Sequence, residues 1–275
     1  MYNYLLLAAS ERSMGMGIVL AMVIVSVVGL LIGIFLGIAG KKFYVEVDPR
    51  ETAILECLPG NNCGGCGYAG CSGLAAAIVK GEAPVNGCPV GGAPIGAAVG
   101  EIMGIKAEEG VKKVAFVKCK GNKDVAATDY HYIGIKDCGA LRYVPGGGPK
   151  TCNYGCLGFG SCVSACPFDA IHIVDGTALV DEEACKACGK CVAACPKGLI
   201  ELVPYHQPHK VECSSHGKGK AVMDACSAGC IGCGLCVKNC PAEAITITDN
   251  IPHIDYEKCT KCGICKEKCP KKVIL

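Results

Sequence analysis

The chain has 275 residues and a formal net charge of +2, and it contains 25 cysteines and no tryptophan. A charge this close to neutral gives no electrostatic reason to expect a nucleic-acid partner. Such a cysteine content leaves three classes open: a disulfide-rich secreted domain, metal sites or iron–sulfur clusters. The spacing of the cysteines decides among them.

An uncharged apolar segment runs from Ser13 to Gly40. It exceeds both the roughly 20 residues that cross a bilayer and the roughly 7–15 apolar residues of a secretory signal. We therefore expect a transmembrane helix at 13–40, which acts as an anchor because it holds no ionisable residue. Lys41 and Lys42 follow it, and basic residues that flank a transmembrane helix lie on the cytoplasmic side. Residues 1–12 should then lie outside, and the cysteine-rich body on the cytoplasmic side of the inner membrane, where thiols stay reduced.

Residues 41–100 form the next expected unit, in which glycines crowd closely spaced cysteines. The pattern C-x2-C-x4-C-x16-C is made by Cys63, Cys66, Cys71 and Cys88. Glycine lets the backbone approach a cluster closely, and residues 72–79 should form a helix that leads the chain away and back. We predict one [4Fe–4S] cluster here, with a zinc knuckle as the alternative.

Three later runs match C-x2-C-x2-C-x3-C-P, the spacing typical of a bacterial ferredoxin. They are Cys185, Cys188, Cys191 and Cys195; Cys230, Cys233, Cys236 and Cys240; and Cys259, Cys262, Cys265 and Cys269. A structural zinc site would instead need two C-x2-C pairs about a dozen residues apart. The fourth cysteine of each run ligates the cluster of the paired run, so the runs must work in pairs.

An internal duplication supplies these pairs. Eight cysteines recur 74 positions later, and we place tandem ferredoxin modules at 150–200 and 224–275. Each should contain a β-hairpin, at 170–180 around Asp175 and Gly176 and at 244–255 in the second copy. We expect residues 101–149 to form a connecting segment that carries Cys119 and Cys138, and residues 201–223 to form a linker.

The first run departs from the pattern, because Phe159 stands where the second copy has Cys233. Cys152, one short turn upstream, is the predicted replacement ligand. Its counterpart Cys226 is present although the second run is already complete. The alternative is therefore that Cys152 and Cys226 share a role of their own.

The predicted fold is α+β: one N-terminal transmembrane helix, a small iron–sulfur module and tandem ferredoxin-like modules holding about five [4Fe–4S] clusters in all. The predicted ligands are Cys63, Cys66, Cys71, Cys88, Cys152, Cys156, Cys162, Cys195, Cys185, Cys188, Cys191, Cys166, Cys230, Cys233, Cys236, Cys269, Cys259, Cys262, Cys265 and Cys240. Five cysteines remain: Cys57, Cys119, Cys138, Cys213 and Cys226. The last two are either inert buried thiols or part of an additional metal or redox site.

The order of these parts, an anchor, a CGGCGYAGC module and tandem ferredoxin runs, resembles the B subunits of Rnf complexes over nearly the whole chain. The resemblance implies a relay subunit that takes electrons from reduced ferredoxin into a complex that reduces NAD and exports Na⁺ or H⁺. It also implies a flavin-bearing subunit on the NADH side and integral membrane partners. The chain has no G-x-G-x-x-G motif in a strand–helix context, so we predict no nicotinamide site of its own.

The last ferredoxin run is rich in lysine. Its candidate docking residues are Lys266, Lys268, Lys271 and Lys272. A basic rim would steer an acidic ferredoxin to this end of the chain; the alternative is ordinary solvated lysines. Two other functions remain open from the sequence: an iron–sulfur relay of another membrane complex, such as a hydrogenase or a quinone-linked enzyme, and a zinc-binding interaction protein.

Overall fold

The computed structural model describes the backbone of residues 2–43, 48–107 and 110–275, with side chains from residue 19 onward. The chain divides into two units, Met1–Asp48 and Pro49–Leu275. The first unit consists of helix α1, Tyr2–Lys42. Its part Val19–Lys42 has a mean hydropathy of 3.0 and no buried portion, so it is long and apolar enough to cross a membrane.

Three helices form the start of the second unit: α2, Pro49–Cys57; α3, Cys71–Val79; and α4, Gly92–Met103. Helix α3 confirms the helix expected at 72–79. The three helices enclose a small core in which Ile54, Leu74 and Val99 are fully buried. Each such side chain contributes about 1.5–3 kcal/mol by burial, so this core positions the cysteines around it.

Both segments expected to be connectors contain a strand. Strand β1, Lys113–Val117, pairs antiparallel with β4, Ile200–Pro204, and Val114 lies opposite Val203 with both side chains fully buried. The boundaries at 150 and 200 stay a prediction; the structure adds a strand at each side of that range, whose buried residues belong to the core of the first module.

Two hairpins occupy the centres of the modules, as predicted. Strands β2, Ile171–Val174, and β3, Thr177–Val180, turn at Asp175 and Gly176. Strands β5, Ile245–Thr248, and β6, Ile251–Ile254, form the second hairpin. The apolar residues of each hairpin that face inward, such as Ile171 and Ile245, are buried among the cysteines of their module.

One-turn helices carry the third cysteine of each run. They are α5, Ser161–Ser164; α6, Lys190–Ala194; α8, Leu235–Lys238; and α9, Ile264–Glu267. Helix α7, Lys220–Ala225, precedes the second module, and two short 3-10 helices, Ala140–Tyr143 and Pro145–Gly147, lie in the segment before the first run.

The segment 201–223 also joins the modules to each other. The amide of Lys120 donates to the carbonyl of Glu212 at 3.0 Å, and Ser214 Oγ donates to the carbonyl of Lys118 at 3.1 Å. Val211 bridges Ile274 near the C-terminus. The expected linker therefore works as the first strand-like segment of the second module, in the place that β1 takes in the first.

Candidate iron–sulfur centres

Each ferredoxin run curls in the same way. The residue before the second cysteine has a positive φ, as in Ala187 and Lys261, and a glycine with positive φ follows that cysteine, as in Gly189 and Gly263. Two left-handed residues in such close succession turn a short chain back on itself, so the three thiols of one run point to the same side.

Three complete sets of four cysteines come together around these runs, and we name them as follows. Set B consists of Cys185, Cys188, Cys191 and Cys166; set D of Cys230, Cys233, Cys236 and Cys269; set E of Cys259, Cys262, Cys265 and Cys240. Besides burial, the other three thiols of the set raise the pKa of Cys191 in set B and of Cys265 in set E. In set D, Cys236 and Cys269 raise the pKa of Cys230, and Cys233 and Cys269 raise that of Cys236. The fourth member comes from the paired run, as the ferredoxin pattern predicts.

Burial is the main cause of these pKa shifts. Together with the neighbouring thiols, it raises the pKa of Cys191 and of Cys230 to about 11. A buried thiol in this state stays protonated at neutral pH, and iron must displace the proton to bind the sulfur.

Set A consists of the four cysteines of the glycine-rich unit, Cys63, Cys66, Cys71 and Cys88. Burial raises the pKa of the Cys88 thiol, and the nearby thiols of Cys63 and Cys66 raise it as well. The amide of Gly91 donates to the Sγ of Cys88 at 3.3 Å. The amide of Cys71, at the start of α3, donates to Asn62 Oδ1 at 2.8 Å. This bond fixes the loop that presents the first two cysteines.

A cysteine outside the spacing pattern lies beside the first run. Cys138 lines one cavity together with Cys156, Cys162 and Cys195. Burial is the main cause that raises the pKa of Cys162 to about 12, and the neighbouring thiols of Cys156, Cys138 and Cys195 contribute to that rise. We name these four cysteines set C.

Cys152, the replacement ligand predicted from the sequence, is not among the residues that line this cavity. It lines a different cavity with Cys119, Cys213 and Cys226. Sequence reasoning missed Cys138 because it lies far from the run and belongs to no spacing pattern. One signal was present: only the copy that lacks a ligand carries this additional cysteine.

Contacts with the run itself hold Cys138 in place. The ring of Phe159 packs edge-on against Tyr132, with 5.7 Å between the ring centroids. The amide of Cys138 donates to Ser161 Oγ at 2.9 Å, and this hydroxyl donates to Asp137 Oδ2 at 2.7 Å. The Ser161 hydrogen bond is also the main cause that lowers the pKa of Asp137. Phe159 and Ser161 of the first run therefore both hold the segment that carries Cys138.

Set A and set B lie against each other. A Cβ built on Gly65 would come within 2.6 Å of the carbonyl oxygen of Cys188 and within 2.9 Å of its Cα. Burial is the main cause that raises the pKa of the Cys188 thiol, and among the neighbouring thiols Cys63 has the largest effect on it. The glycine at 65 is therefore required for the close approach of the two modules.

A single metal ion and an iron–sulfur cluster need different arrangements of four thiols. Within the described ranges, no three His, Cys, Asp or Glu side chains converge closely enough to hold one ion. A zinc ion needs four ligands at about 2.0–2.3 Å from one point. A [4Fe–4S] cluster instead takes one thiolate on each of four separate irons. Four thiols around a shared space fit the cluster.

The candidate docking lysines lie beside set E. Lys266, Lys268 and Lys272 are exposed, and Lys271 is half-buried. In the described part of the chain, none of the four forms an ion pair. Cys262, in the same run, has an exposed side chain.

Three family models match parts of this chain. Residues 58–90 match "Putative Fe-S cluster", residues 161–206 match "LdpA Fe-S cluster-binding domain", and residues 229–273 match "4Fe-4S dicluster domain". These ranges contain set A and most of the ferredoxin runs, and they support [4Fe–4S] clusters as the bound groups.

Curated relatives cover most of the chain. The B subunit of the Na⁺-translocating ferredoxin:NAD⁺ oxidoreductase complex of Acetobacterium woodii is 49% identical over 237 residues, which is 86% of this chain and 71% of that protein. The B subunit of the ion-translocating oxidoreductase complex of Methanosarcina acetivorans is 41% identical over 84% of this chain and 88% of that protein. The B subunit of the proton-translocating ferredoxin:NAD⁺ oxidoreductase complex of Clostridium ljungdahlii is 41% identical over 88% and 86%.

Proposed function

Because the chain belongs to the family of B subunits of Rnf complexes, the ion-translocating ferredoxin:NAD⁺ oxidoreductases, we propose that it takes electrons from reduced ferredoxin and delivers them into such a complex. The protein is anchored by α1, with its body on the cytoplasmic side of the inner membrane. Its partners are ferredoxin, a flavin-bearing subunit that handles NAD, and integral membrane subunits that export Na⁺ or H⁺.

Sets A to E are the proposed ligands of five [4Fe–4S] clusters, with Cys138 in place of Cys152. When bound, such clusters accept and release single electrons at potentials set by burial, charge and hydrogen bonds to sulfur. Backbone amides of this chain donate hydrogen bonds of this kind to cysteine sulfurs. The amide of Ala115 donates to the Sγ of Cys185 at 3.3 Å, the amide of Leu199 to that of Cys195 at 3.4 Å, and the amide of Val273 to that of Cys269 at 3.4 Å.

The contact of Gly65 with Cys188 carries this proposal. It brings the glycine-rich unit, which follows the membrane anchor in the chain, directly against the first ferredoxin module. An isolated ferredoxin would need no such contact, whereas a relay must bring one cysteine set close to the next.

Mixing the anaerobic full-length chain with reduced ferredoxin in a stopped-flow spectrometer tests the function. We expect the visible absorbance of the oxidised clusters to bleach as electrons arrive. Bleaching by dithionite but not by ferredoxin would reject ferredoxin as the donor. A colourless chain that contains zinc would reject the relay altogether.

Neutralising the basic surface is expected to weaken the use of ferredoxin. The variant Lys266→Gln/Lys268→Gln/Lys271→Gln/Lys272→Gln should lower kcat/KM for ferredoxin by about tenfold at low salt, because the steering of charged partners raises association rates by about 10–1,000-fold. The loss should appear mainly in KM, and the salt dependence should flatten.

The matched control neutralises exposed lysines elsewhere on the body, Lys112 and Lys123. A fall in kcat/KM of equal size in both variants would show a general charge effect and would contradict docking at the C-terminal run.

A further inference from the structure

The sequence contains a single glutamine, Gln207, and it lies beside set E. The residue is buried, with only 3% of its surface exposed. Its Nε2 donates to the Sγ of Cys259 at 3.4 Å and to the carbonyl of His209 at 3.4 Å. Cys259 is the first cysteine of the last run and a member of set E. A buried side-chain amide therefore directs a hydrogen-bond donor at the sulfur of a proposed cluster ligand.

This donor differs in kind from those described for the other sets. The hydrogen bonds to the sulfurs of Cys88, Cys185, Cys195 and Cys269 come from backbone amides. A backbone amide is present whatever the side chain, whereas a glutamine can be exchanged for a residue without an N–H group. At Cys259 the identity of one side chain therefore determines whether the bond forms.

The two ferredoxin modules supply this bond differently. Cys185 and Cys259 are 74 positions apart and occupy the same place in the duplicated sequence. In the first module the amide of Ala115, in strand β1, donates to the Sγ of Cys185 at 3.3 Å. The matching segment of the second module contains Pro208, which has no N–H group to donate. The side chain of the residue before this proline provides the donor there.

Contacts along the segment hold the glutamine in place. The amide of Gln207 donates to the carbonyl of Pro204 at 3.1 Å. The Nδ1 of His209 donates to the carbonyl of Leu275 at 2.7 Å, and the amide of Leu275 donates to the carbonyl of Lys210 at 3.0 Å. Because the end of the chain fixes this segment, the side chain loses little further freedom when it binds the sulfur.

We propose that Gln207 raises the reduction potential of the [4Fe–4S] cluster of set E, as a positioning residue that acts through the sulfur of Cys259. The inference rests on the part of the proposed function that assigns a cluster to set E. Reduction adds one electron from the donor, breaks no bond and moves no proton. A hydrogen bond to a group favours its more negatively charged form, so an N–H donor at this sulfur stabilises the reduced state.

Burial strengthens this effect and the position gives it a consequence. Water does not compete for the sulfur beside a buried amide, and a hydrogen bond is electrostatically stronger in such surroundings than in water. Set E is also the set beside the candidate docking lysines. A higher potential at this set favours the transfer of an electron from reduced ferredoxin to it.

Replacing Gln207 by methionine tests the inference, because methionine is unbranched and has no N–H donor. A redox titration of the anaerobic full-length chain, followed by EPR, should show one [4Fe–4S] signal with a lower midpoint potential in Gln207→Met and an unchanged iron content. Asn239→Met is the matched control. Asn239 precedes Cys240 of set E, but its side-chain amide donates to the carbonyl of Leu235 at 2.7 Å. This variant should leave every midpoint potential unchanged.

Equal midpoint potentials in Gln207→Met and Asn239→Met would overturn the inference and leave the relay standing. If Gln207→Met loses iron, the unaltered chain answers the question, because its one glutamine can be labelled with ¹⁵N in the side-chain amide. Pulsed EPR should then detect coupling of this nucleus to a reduced cluster, and its absence would contradict the bond. A chain whose potential shifts as expected but which ferredoxin does not reduce would reject the proposed function and leave the role of Gln207 intact.

Discussion

Replacing Cys138 by serine is expected to remove about four irons from the chain and to reduce ferredoxin-dependent NAD reduction by more than about 100-fold in the assembled complex. Mutating a residue that only supports a metal ligand lowers affinity or activity by roughly 10–100-fold. Removing a ligand itself should lower the activity by more. The physical reason is the position of Cys138 in one cavity with Cys156, Cys162 and Cys195. Iron analysis, EPR and steady-state kinetics measure the effect.

A rescue variant makes this prediction specific. Phe159 occupies the position of the usual second cysteine, between Gly158 and Gly160, which keep the positive φ values of the other runs. The double variant Cys138→Ser/Phe159→Cys should therefore regain the four irons, because the backbone already presents position 159 to the cluster.

The variant Cys152→Ser separates the two candidate ligands. It should keep the iron and the EPR signal that Cys138→Ser loses, because Cys152 lines a different cavity. Full iron in Cys138→Ser alone would return Cys152 to the first run and contradict the assignment.

Introducing a side chain at position 65 is expected to have the second large effect, this time on electron flow without loss of iron. In Gly65→Val the new Cβ would meet the backbone of Cys188 at 2.6 Å. Backbone cannot rotate away as a side chain can, so the two modules must separate at a cost of about 1–3 kcal/mol. Rapid-freeze EPR should show slower reduction of set A than in the unaltered chain.

Gly73→Ala is the matched control for this change. Gly73 lies in α3 of the same unit, and a Cβ there would meet only the Tyr68 side chain, at an ordinary 3.6 Å. Equal rates of set A reduction in both variants would show that the contact of Gly65 with Cys188 does not carry electrons.

The spacing of residues along the sequence was enough to predict much of the local structure of this protein. The three C-x2-C-x2-C-x3-C-P runs, the two hairpins and helix α3 are set by residues a few positions apart, whose chemistry dictates one backbone path. The apolar segment before Lys41 is also a local property, because crossing a bilayer requires only length and hydrophobicity. The order of these parts was enough to indicate the family.

Only the tertiary structure decided how distant segments complete the sites. Cys138 reaches the first run because Tyr132 packs on Phe159 and Ser161 holds the amide of Cys138. Strand β1 needs β4, far along the chain, to pair its backbone. Cys119 and Cys152 meet Cys213 and Cys226 in one cavity only where two copies of a module pack together. No spacing rule describes such contacts, because the separation along the chain does not constrain which segments meet once the fold has formed.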